Sequence, residues 1–354
     1  MSEFLPDVWY MAGWSKEVGD TLLSRRIAGR PILLYRAADD SVVAMVDRCP
    51  HRFAPLSLGM RVGDDVTCGY HGLRFNRRGA CVRNPFANRI PTGAAVSVFP
   101  AVERDGIVWL WFGGQALTDP VLIPDFSMLA ETSTSRTLTG YTRMLANYEY
   151  GTDNLMDLSH IEFVHKGSFA GAGVIFAGAH HVRQEGDAIH SDWWMPGVKA
   201  PPHTAGIYPP EMLTDHWLDM RWEAPASMYL QVGATPAGHP RKAGILVHQA
   251  HILTPESDGT THYFWASTYV AGPGMPDMAD MLTLLFAKAF DNEDKPIIEA
   301  AYANLDGADF WAQKPVSLGI DQGGTRARRL IQSRLRRQCV TASDDLSHKS
   351  AIEN

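Results

Sequence analysis

Only four of the 354 residues are cysteine, too few for a disulfide framework to hold a chain of this length. Thiols that are not cross-links are free to bind metal. No stretch reaches the roughly 18 apolar residues of a membrane span. The opening MSEFLPDVWYMAGWSKEVGD lacks a basic start followed by an apolar run, so no export signal is read and a cytoplasmic location is expected. Basic residues are not in excess. Lys and Arg number 32 against 39 Asp and Glu, and the net charge of -7 argues against nucleic acid as a partner. There is no internal repeat, no glycine-rich nucleotide-binding pattern and no flavin motif, so any redox chemistry here needs electrons from another protein. The remainder is 45% apolar and 20% charged, a composition able to build the cores of two domains.

Residues 30 to 112 read as an all-β segment. PILLYR, SVVAMVD, DVTCGYH, VSVFPAVER and GIVWLWFG are β-branched and aromatic runs of strand length, broken by Gly, Pro or Asp-Asp turns. GGQALTDPVLIPDF (113–126) has no period and reads as a linker. NYEYGTDNLMDLSHIEFVH (147–165) has helical spacing, and residues 180 to 270 return to strands such as ASMYLQVGATP and GTTHYFWASTYV. PDMADMLTLLFAKAFDNEDKPIIEAAYANL (276–305) predicts a helix that Pro296 either kinks or divides. A last helix is predicted over 325–338, and the polar end, 341–354, reads as a frayed tail. The expected division is 1–115 and 116–340, an all-β domain followed by an α+β domain.

CPHRFAPLSLGMRVGDDVTCGYHG carries Cys49-x-His51, sixteen residues, then Cys68-x-x-His71. Four ligand-type side chains in two matched Gly/Pro-containing loops point to a metal. Structural zinc is one reading, although its ligand pairs are usually two to four residues apart and the first pair here is separated by one. The other is a [2Fe-2S] cluster of Rieske type, with two thiolates on one iron and two imidazoles on the other. Cys81 and Cys339 have no ligand-type neighbour and read as structural. Cys49-Pro-His51-Arg and Cys68-Gly-Tyr-His71-Gly resemble, in residue and spacing, the cluster loops of Rieske non-haem iron oxygenases. The same ligands serve Rieske electron carriers, so these loops do not by themselves distinguish an enzyme from a non-catalytic carrier.

The second half separates the two. Asp157-x-x-His160-x4-His165 places two histidines and a carboxylate in one short segment. His160 lies one helical turn after Asp157, whereas His165, five positions on, needs a local irregularity to face the same metal. Two histidines and a carboxylate hold Fe(II) with open positions for O2. Asp291, Glu293 and Asp294 are the downstream candidates. On an α-helix Ala287, Phe290, Asp294 and Ile297 share a face, which sets Asp294 on an apolar wall, with Asp291 as runner-up. Asn154, Asp157, His160 and His165 resemble the family's Asn-x-x-Asp-x-x-His-x4-His signature, and EDKP resembles the setting of its last ligand.

The resemblance runs from WYMAGW to IDQGGTRARRLIQSRL and is nearest to the oxygenase components of vanillate and dicamba O-demethylases. It implies a Rieske domain followed by a helix-grip-like antiparallel sheet flanked by helices, with a [2Fe-2S] cluster on Cys49, His51, Cys68 and His71. It implies mononuclear Fe(II) on His160, His165 and Asp294. Asp157 would be a bridge, its carboxylate bonded to His160 and to a cluster histidine of the next subunit in a homotrimeric ring. The implied reaction is O-demethylation, or methyl hydroxylation, of an aromatic, vanillate-like acid, with formaldehyde released and electrons drawn from a separate NAD(P)H-dependent reductase or a ferredoxin. Ring cis-dihydroxylation is the alternative within the family. Leu155, Leu158, Leu282 and Leu285 are candidate substrate walls, and His251 sits where dicamba-type enzymes hold a substrate-contacting histidine. Leu230 and Leu285 replace an amide and a tryptophan of that pattern, which makes dicamba itself an unsuitable substrate. Eight arginines and two acids between Arg48 and Arg89 suggest a basic docking face for the donor, with Arg77 and Arg78 at a solvent-facing turn.

Overall fold

VWYMAGW and IVWLWF are uninterrupted apolar runs and form two fully buried strands, β1 (Val8–Trp14) and β10 (Ile107–Phe112), which pair antiparallel from Val8 opposite Phe112 to Trp14 opposite Ile107. In this computed structural model the backbone is described for residues 4–352 except 167, 170–172, 202–203, 205–206 and 273–276. Side chains are not described for 115 and from 338 onward. Two units result: residues 3–123 with 254–258, and residues 124–253 with 259–354. The sequence-based boundary at 115 lies within the 3–10 turn Gln115–Leu117, whereas the first unit extends to Ile123 and takes in a hairpin tip from the second half of the chain.

Between β1 and β10 run β2 (Leu23–Ile27), β3 (Arg30–Arg36), β4 (Val42–Val46), β5 (Met60–Val62), β6 (Asp65–Thr67), β7 (Arg74–Phe75), β8 (Cys81–Arg83) and β9 (Ala101–Arg104). They form three small sheets ordered β1-β10-β9, β2-β3-β4 and β5-β6-β7-β8. Leu33, Tyr35, Met45, Leu56, Val66 and Phe75 make a shared core that also contains Cys49, Cys68 and Cys81. Cys81 is therefore core, as its lack of ligand neighbours suggested. The side chain of Cys339 lies outside the described residues.

The second unit is built on one seven-stranded antiparallel sheet. Its strands are β11 (Ser135–Met144), β12 (Ala179–Glu185), β13 (Ala188–Lys199), β14 (Leu213–Glu223), β15 (Ser227–Pro236), β16 (Ile245–Ser257) and β17 (Thr260–Val270), in the order β11-β17-β16-β15-β14-β13-β12. The helices are α1 (Tyr148–Met156), α2 (Ile161–Val164), α3 (Ala279–Ala287), α4 (Lys295–Ala303) and α5 (Gln322–Ile352). The backbone of α5 stays helical to Ile352, through the segment whose polarity reads as a frayed tail. Its N-terminal part is anchored by Arg328, a buried guanidinium 2.7 Å from Glu149 and 2.6 Å from Asp153 of α1 and stacked over Tyr150 and Phe310. A single well-paired cation thereby ties the last helix to the helix that leads into the histidine segment.

Between α3 and α4 the chain makes a π-helical turn, Lys288–Asp294. The extra residue per turn moves the buried stripe. Phe286, Ala289, Phe290, Asp294 and Ile298 are buried, while Ile297, placed on the inner face by α-helical spacing, is 54% exposed. Pro296 sits in the first turn of α4, directly after the π-helical turn. Phe286 and Phe290 pack against Trp265 of β17, tilted and edge-on, at 5.2 and 5.5 Å between ring centroids. Trp265 in turn lies opposite Gly140 of β11, where an added Cβ would sit 2.1 Å from the indole. Replacing Gly140 with Ala should push the indole off its seat and destabilise the unit by about 1–3 kcal/mol, read as a lowered denaturant midpoint. An unchanged midpoint would show that the indole has room to shift.

Candidate functional site

The two cluster loops repeat one backbone device. In each, the cysteine N–H donates to the carbonyl five residues on, Cys49 to Ala54 at 2.9 Å and Cys68 to Leu73 at 2.8 Å. The residue four on, Phe53 or Gly72, returns an N–H to the cysteine carbonyl and has a left-handed backbone, φ 62° and 74°. A left-handed phenylalanine is a strained choice that persists only where the surroundings fix it. The thiols are buried, 2% and 3% exposed, while His51 is exposed and His71 half-buried. The imidazoles approach to 4.6 Å between ring centroids. Burial, together with Cys68 alongside, pushes the Cys49 thiol above its ordinary value, against the opposing backbone N–H groups of His51 and Arg52 that reach its sulfur.

This donor set fits a [2Fe-2S] cluster. Two adjacent buried thiols and two clustered imidazoles match its mixed ligand demand, amides already point at a sulfur, and the buried Nδ1 of His71 has no partner. A backbone so close to the ligands leaves no room for side chains. A Cβ on Gly69 would lie 2.8 Å from the Leu58 carbonyl oxygen. Arg77, read from sequence as solvent-facing, is exposed and also pairs with Asp39 at 2.6 Å. Arg52, Arg78, Arg83 and Arg89 are exposed.

The second centre is assembled from three short pieces. Helix α1 ends at Asp157, whose φ of -120° and ψ of 85° are not helical. A 3–10 turn, Leu158–His160, and α2 follow, and His165 caps α2. These breaks supply the irregularity that the five-residue spacing requires. His160 Nε2 lies 3.4 Å from Asp294 Oδ1, and His165 Nε2 lies 3.3 Å from Asp294 Oδ2. One ligand atom from each residue falls within 4.8 Å of the others. Both imidazoles are oriented through their far nitrogens. His160 Nδ1–H donates to the Asp157 backbone carbonyl at 2.6 Å, and His165 Nδ1–H donates to Glu293 Oε2 at 2.9 Å. This leaves both Nε2 lone pairs aimed at the same point as Asp294, the arrangement a 2-His-1-carboxylate iron needs.

Burial pushes His160 down from its ordinary pKa. At His165 burial acts the same way, but Asp294 and Glu293 outweigh it and the value is raised. Glu293 itself is raised by burial, but its bonds to Ser168 and His165 outweigh that and hold it below the ordinary carboxylate range.

Of the three downstream acids, Asp294 enters the centre, Glu293 stands behind His165, and Asp291 has one buried oxygen without a partner. Asn154 Nδ2 donates to Asp294 Oδ1 at 3.2 Å. The bond from His160 that the resemblance assigns to the Asp157 carboxylate goes instead to the Asp157 main chain. Ser159 Oγ and N–H occupy Asp157 Oδ1 at 2.6 and 3.1 Å. His251 is buried on β16, with Nδ1 2.7 Å from the Tyr263 hydroxyl and its ring edge-on to Phe290. Leu155, Leu158 and Leu230 are buried, and Leu282 and Leu285 half-buried on α3. Sequence reasoning passed over the orienting role of Glu293, as well as Tyr263 and Gln249. Strand alternation in HQAH, which puts residues 249 and 251 on one face, was the available signal for Gln249.

Cys68→Ala or His71→Ala should abolish the visible absorption and EPR signal of the cluster, and survival of either would remove that residue from the ligand set. Glu293→Gln should weaken iron binding about 10–100-fold, measured by chelator competition. Unchanged affinity would show that His165 needs no such support.

Residues 8–100 match the Rieske [2Fe-2S] domain family, and residues 144–337 match the vanillate O-demethylase oxygenase C-terminal domain family. The chain is 34% identical to the oxygenase component of a chloroacetanilide N-alkylformylase from Rhizorhabdus wittichii, covering 94% of this chain and 96% of that one. It is 35% identical to the oxygenase component of dicamba O-demethylase from Stenotrophomonas maltophilia, covering 93% and 97%. The crystal structure of dicamba monooxygenase bound to 3,6-dichlorosalicylic acid superposes with a TM-score of 0.88 at 34% identity, covering 95% of this chain and 99% of that chain. With a Rieske domain, a non-haem iron site and this likeness along nearly its whole length, the chain belongs to the Rieske non-haem iron oxygenases, as an oxygenase component of the vanillate O-demethylase type.

Proposed function

We propose that the protein oxygenates a methyl carbon of an aromatic compound, most directly the methoxy carbon of an aryl methyl ether. The convergence of His160 Nε2, His165 Nε2 and the Asp294 carboxylate in a chain that also carries the Cys49–His51 and Cys68–His71 loops supports this reading. Held by Cys49, His51, Cys68 and His71, a cluster would supply electrons one at a time, and iron on His160, His165 and Asp294 would supply O2 activation. The chain's own side chains do the remainder. Asp294 balances the metal's charge, Asn154 fixes one of its oxygens, and Glu293 and the Asp157 carbonyl set the orientation of the two rings. The apolar side chains of Leu155, Leu158, Phe286 and Phe290 keep bulk water out. Overall, the aryl methyl ether, O2, two electrons and two protons give a hemiacetal and water, and the hemiacetal splits into a phenol and formaldehyde.

The electrons come from a separate reductase or ferredoxin, in keeping with relatives named as oxygenase components. A cytoplasmic homotrimer, with Asp157 linking the two centres across a subunit boundary, completes the reading. The observation specific to Asp157 is that only Oδ1 is taken up by Ser159.

Formaldehyde release from a panel of methoxylated aromatics, with reductase and NAD(P)H supplied, tests the reaction. A cis-diol as the product instead would overturn it. Asp294→Ala should stop turnover and lower the iron content from about three to about two per chain, with the cluster spectrum intact. Full activity in that variant would transfer the ligand role to Asp291.

A further inference from the structure

Asp47 follows β4, two residues before Cys49, and its carboxylate is buried, 5% exposed. The side chain accepts from three donors. Ser24 Oγ of β2 donates to Oδ2 at 2.7 Å, Ser57 Oγ donates to Oδ2 at 2.6 Å, and the Ser57 N–H donates to Oδ1 at 2.8 Å. Hydroxyl donors at 2.6 and 2.7 Å have the length of bonds to an ionised acceptor. Among the described residues no arginine, lysine or histidine forms an ion pair with Asp47. Its neighbour Arg48 is exposed and lies over the Phe53 ring, 5.0 Å from its centroid. The charge is held by neutral dipoles alone.

As a tie between β2 and the turn Leu56–Leu58, a charge is a costly choice. A neutral side chain of the same shape would hold both serines without a buried ion. What distinguishes Asp47 is its position. Consecutive Cα atoms are about 3.8 Å apart, so those of Asp47 and Cys49 are separated by at most about 7.6 Å. Cys49 is 2% exposed, so no layer of water screens the charge on that side. Reduction adds an electron to a cluster, and a fixed negative charge nearby opposes it. The two imidazole ligands push the potential up, and Asp47 pushes it back.

We propose that Asp47 tunes the reduction potential of the cluster, holding it below the value that the four ligands alone would give. Asp47 thereby makes an electron harder to load and easier to pass on. The donor has to be a stronger reductant than the ligand set by itself requires. This rests on the cluster assigned above to Cys49, His51, Cys68 and His71. It also gives the order Asp47-Arg48-Cys49 a reason: the cation turns out to solvent and the anion turns in beside the thiol.

Spectroelectrochemical titration of the holoenzyme, following the visible absorption of the cluster, tests the proposal. Asp47→Asn keeps the shape and lets Nδ2 donate to a serine hydroxyl, but removes the charge. Its midpoint should rise by about 59 mV, a tenfold shift toward the reduced cluster for one electron, with the form of the spectrum unchanged. Ser24→Ala keeps the charge and removes one donor that spreads it, so its midpoint should fall. An unchanged or lowered midpoint in Asp47→Asn would overturn the proposal. So would a rise in both variants, the result expected if lost hydrogen bonds merely loosen the loop. If Asp47→Asn assembles no cluster, Ser24→Ala decides: a fall supports the charge, and no change or a rise overturns it. A wild-type holoenzyme without a Rieske spectrum would remove the cluster and this proposal together, whereas equal midpoints in wild type and Asp47→Asn remove the tuning alone.

Discussion

A carboxylate 3% exposed to solvent has to be neutralised, and most of the second unit can be understood as the means of doing so at Asp294. Its oxygens stand 3.4 and 3.3 Å from two imidazole nitrogens and 3.2 Å from an amide, all supplied by a segment some 130 residues earlier in the chain. Leaving a buried carboxylate unpaired costs several kcal/mol, so the two segments are bound to meet or the site does not form. The meeting is enforced from both sides. On one side Phe286 of α3 and Phe290 of the π-helical turn press onto Trp265. On the other, Arg328 grips α1 through Glu149 and Asp153. Neither clamp touches the metal ligands, yet both set where the ligands lie.

The first unit solves the complementary problem. Burial penalises a thiolate, and two buried thiols side by side would repel one another as thiolates, which is why burial and mutual proximity raise the Cys49 pKa. One iron of a bound cluster would remove that conflict by taking both sulfurs as ligands. The paired left-handed residues, Phe53 and Gly72, close both loops in the same way and hold the sulfurs in place. In both units the polar groups are expensive without metal and satisfied with it.

How much of this could be seen in sequence depended on whether spacing or packing determined it. The cluster ligands and His160 and His165 were legible because few other uses exist for Cys-x-His and Cys-x-x-His loops or for paired histidines beside an acid. Strands such as β15 and β17 were legible from β-branched and aromatic runs. The π-helical turn was not. Nothing in AKAFDNEDKP announces an inserted residue, so α-helical spacing put Ile297 inward where Ile298 is buried. Asp294 survived that error because it lies before the frame shift takes full effect. The function of Glu293 was hidden for a related reason: two adjacent acids cannot be ranked without knowing which way the turn rotates them. The bond from His160 that the resemblance gave to the Asp157 carboxylate goes to its main-chain carbonyl, which leaves no compositional trace.

The same distinction separates chemistry from specificity. The residues that hold metal are few in kind and closely spaced, so the reaction class can be read from the chain. The residues that select a substrate are ordinary side chains whose meaning comes from register. Relatives that keep the iron centres and differ at such register-paired positions can therefore share the reaction while parting company on substrate.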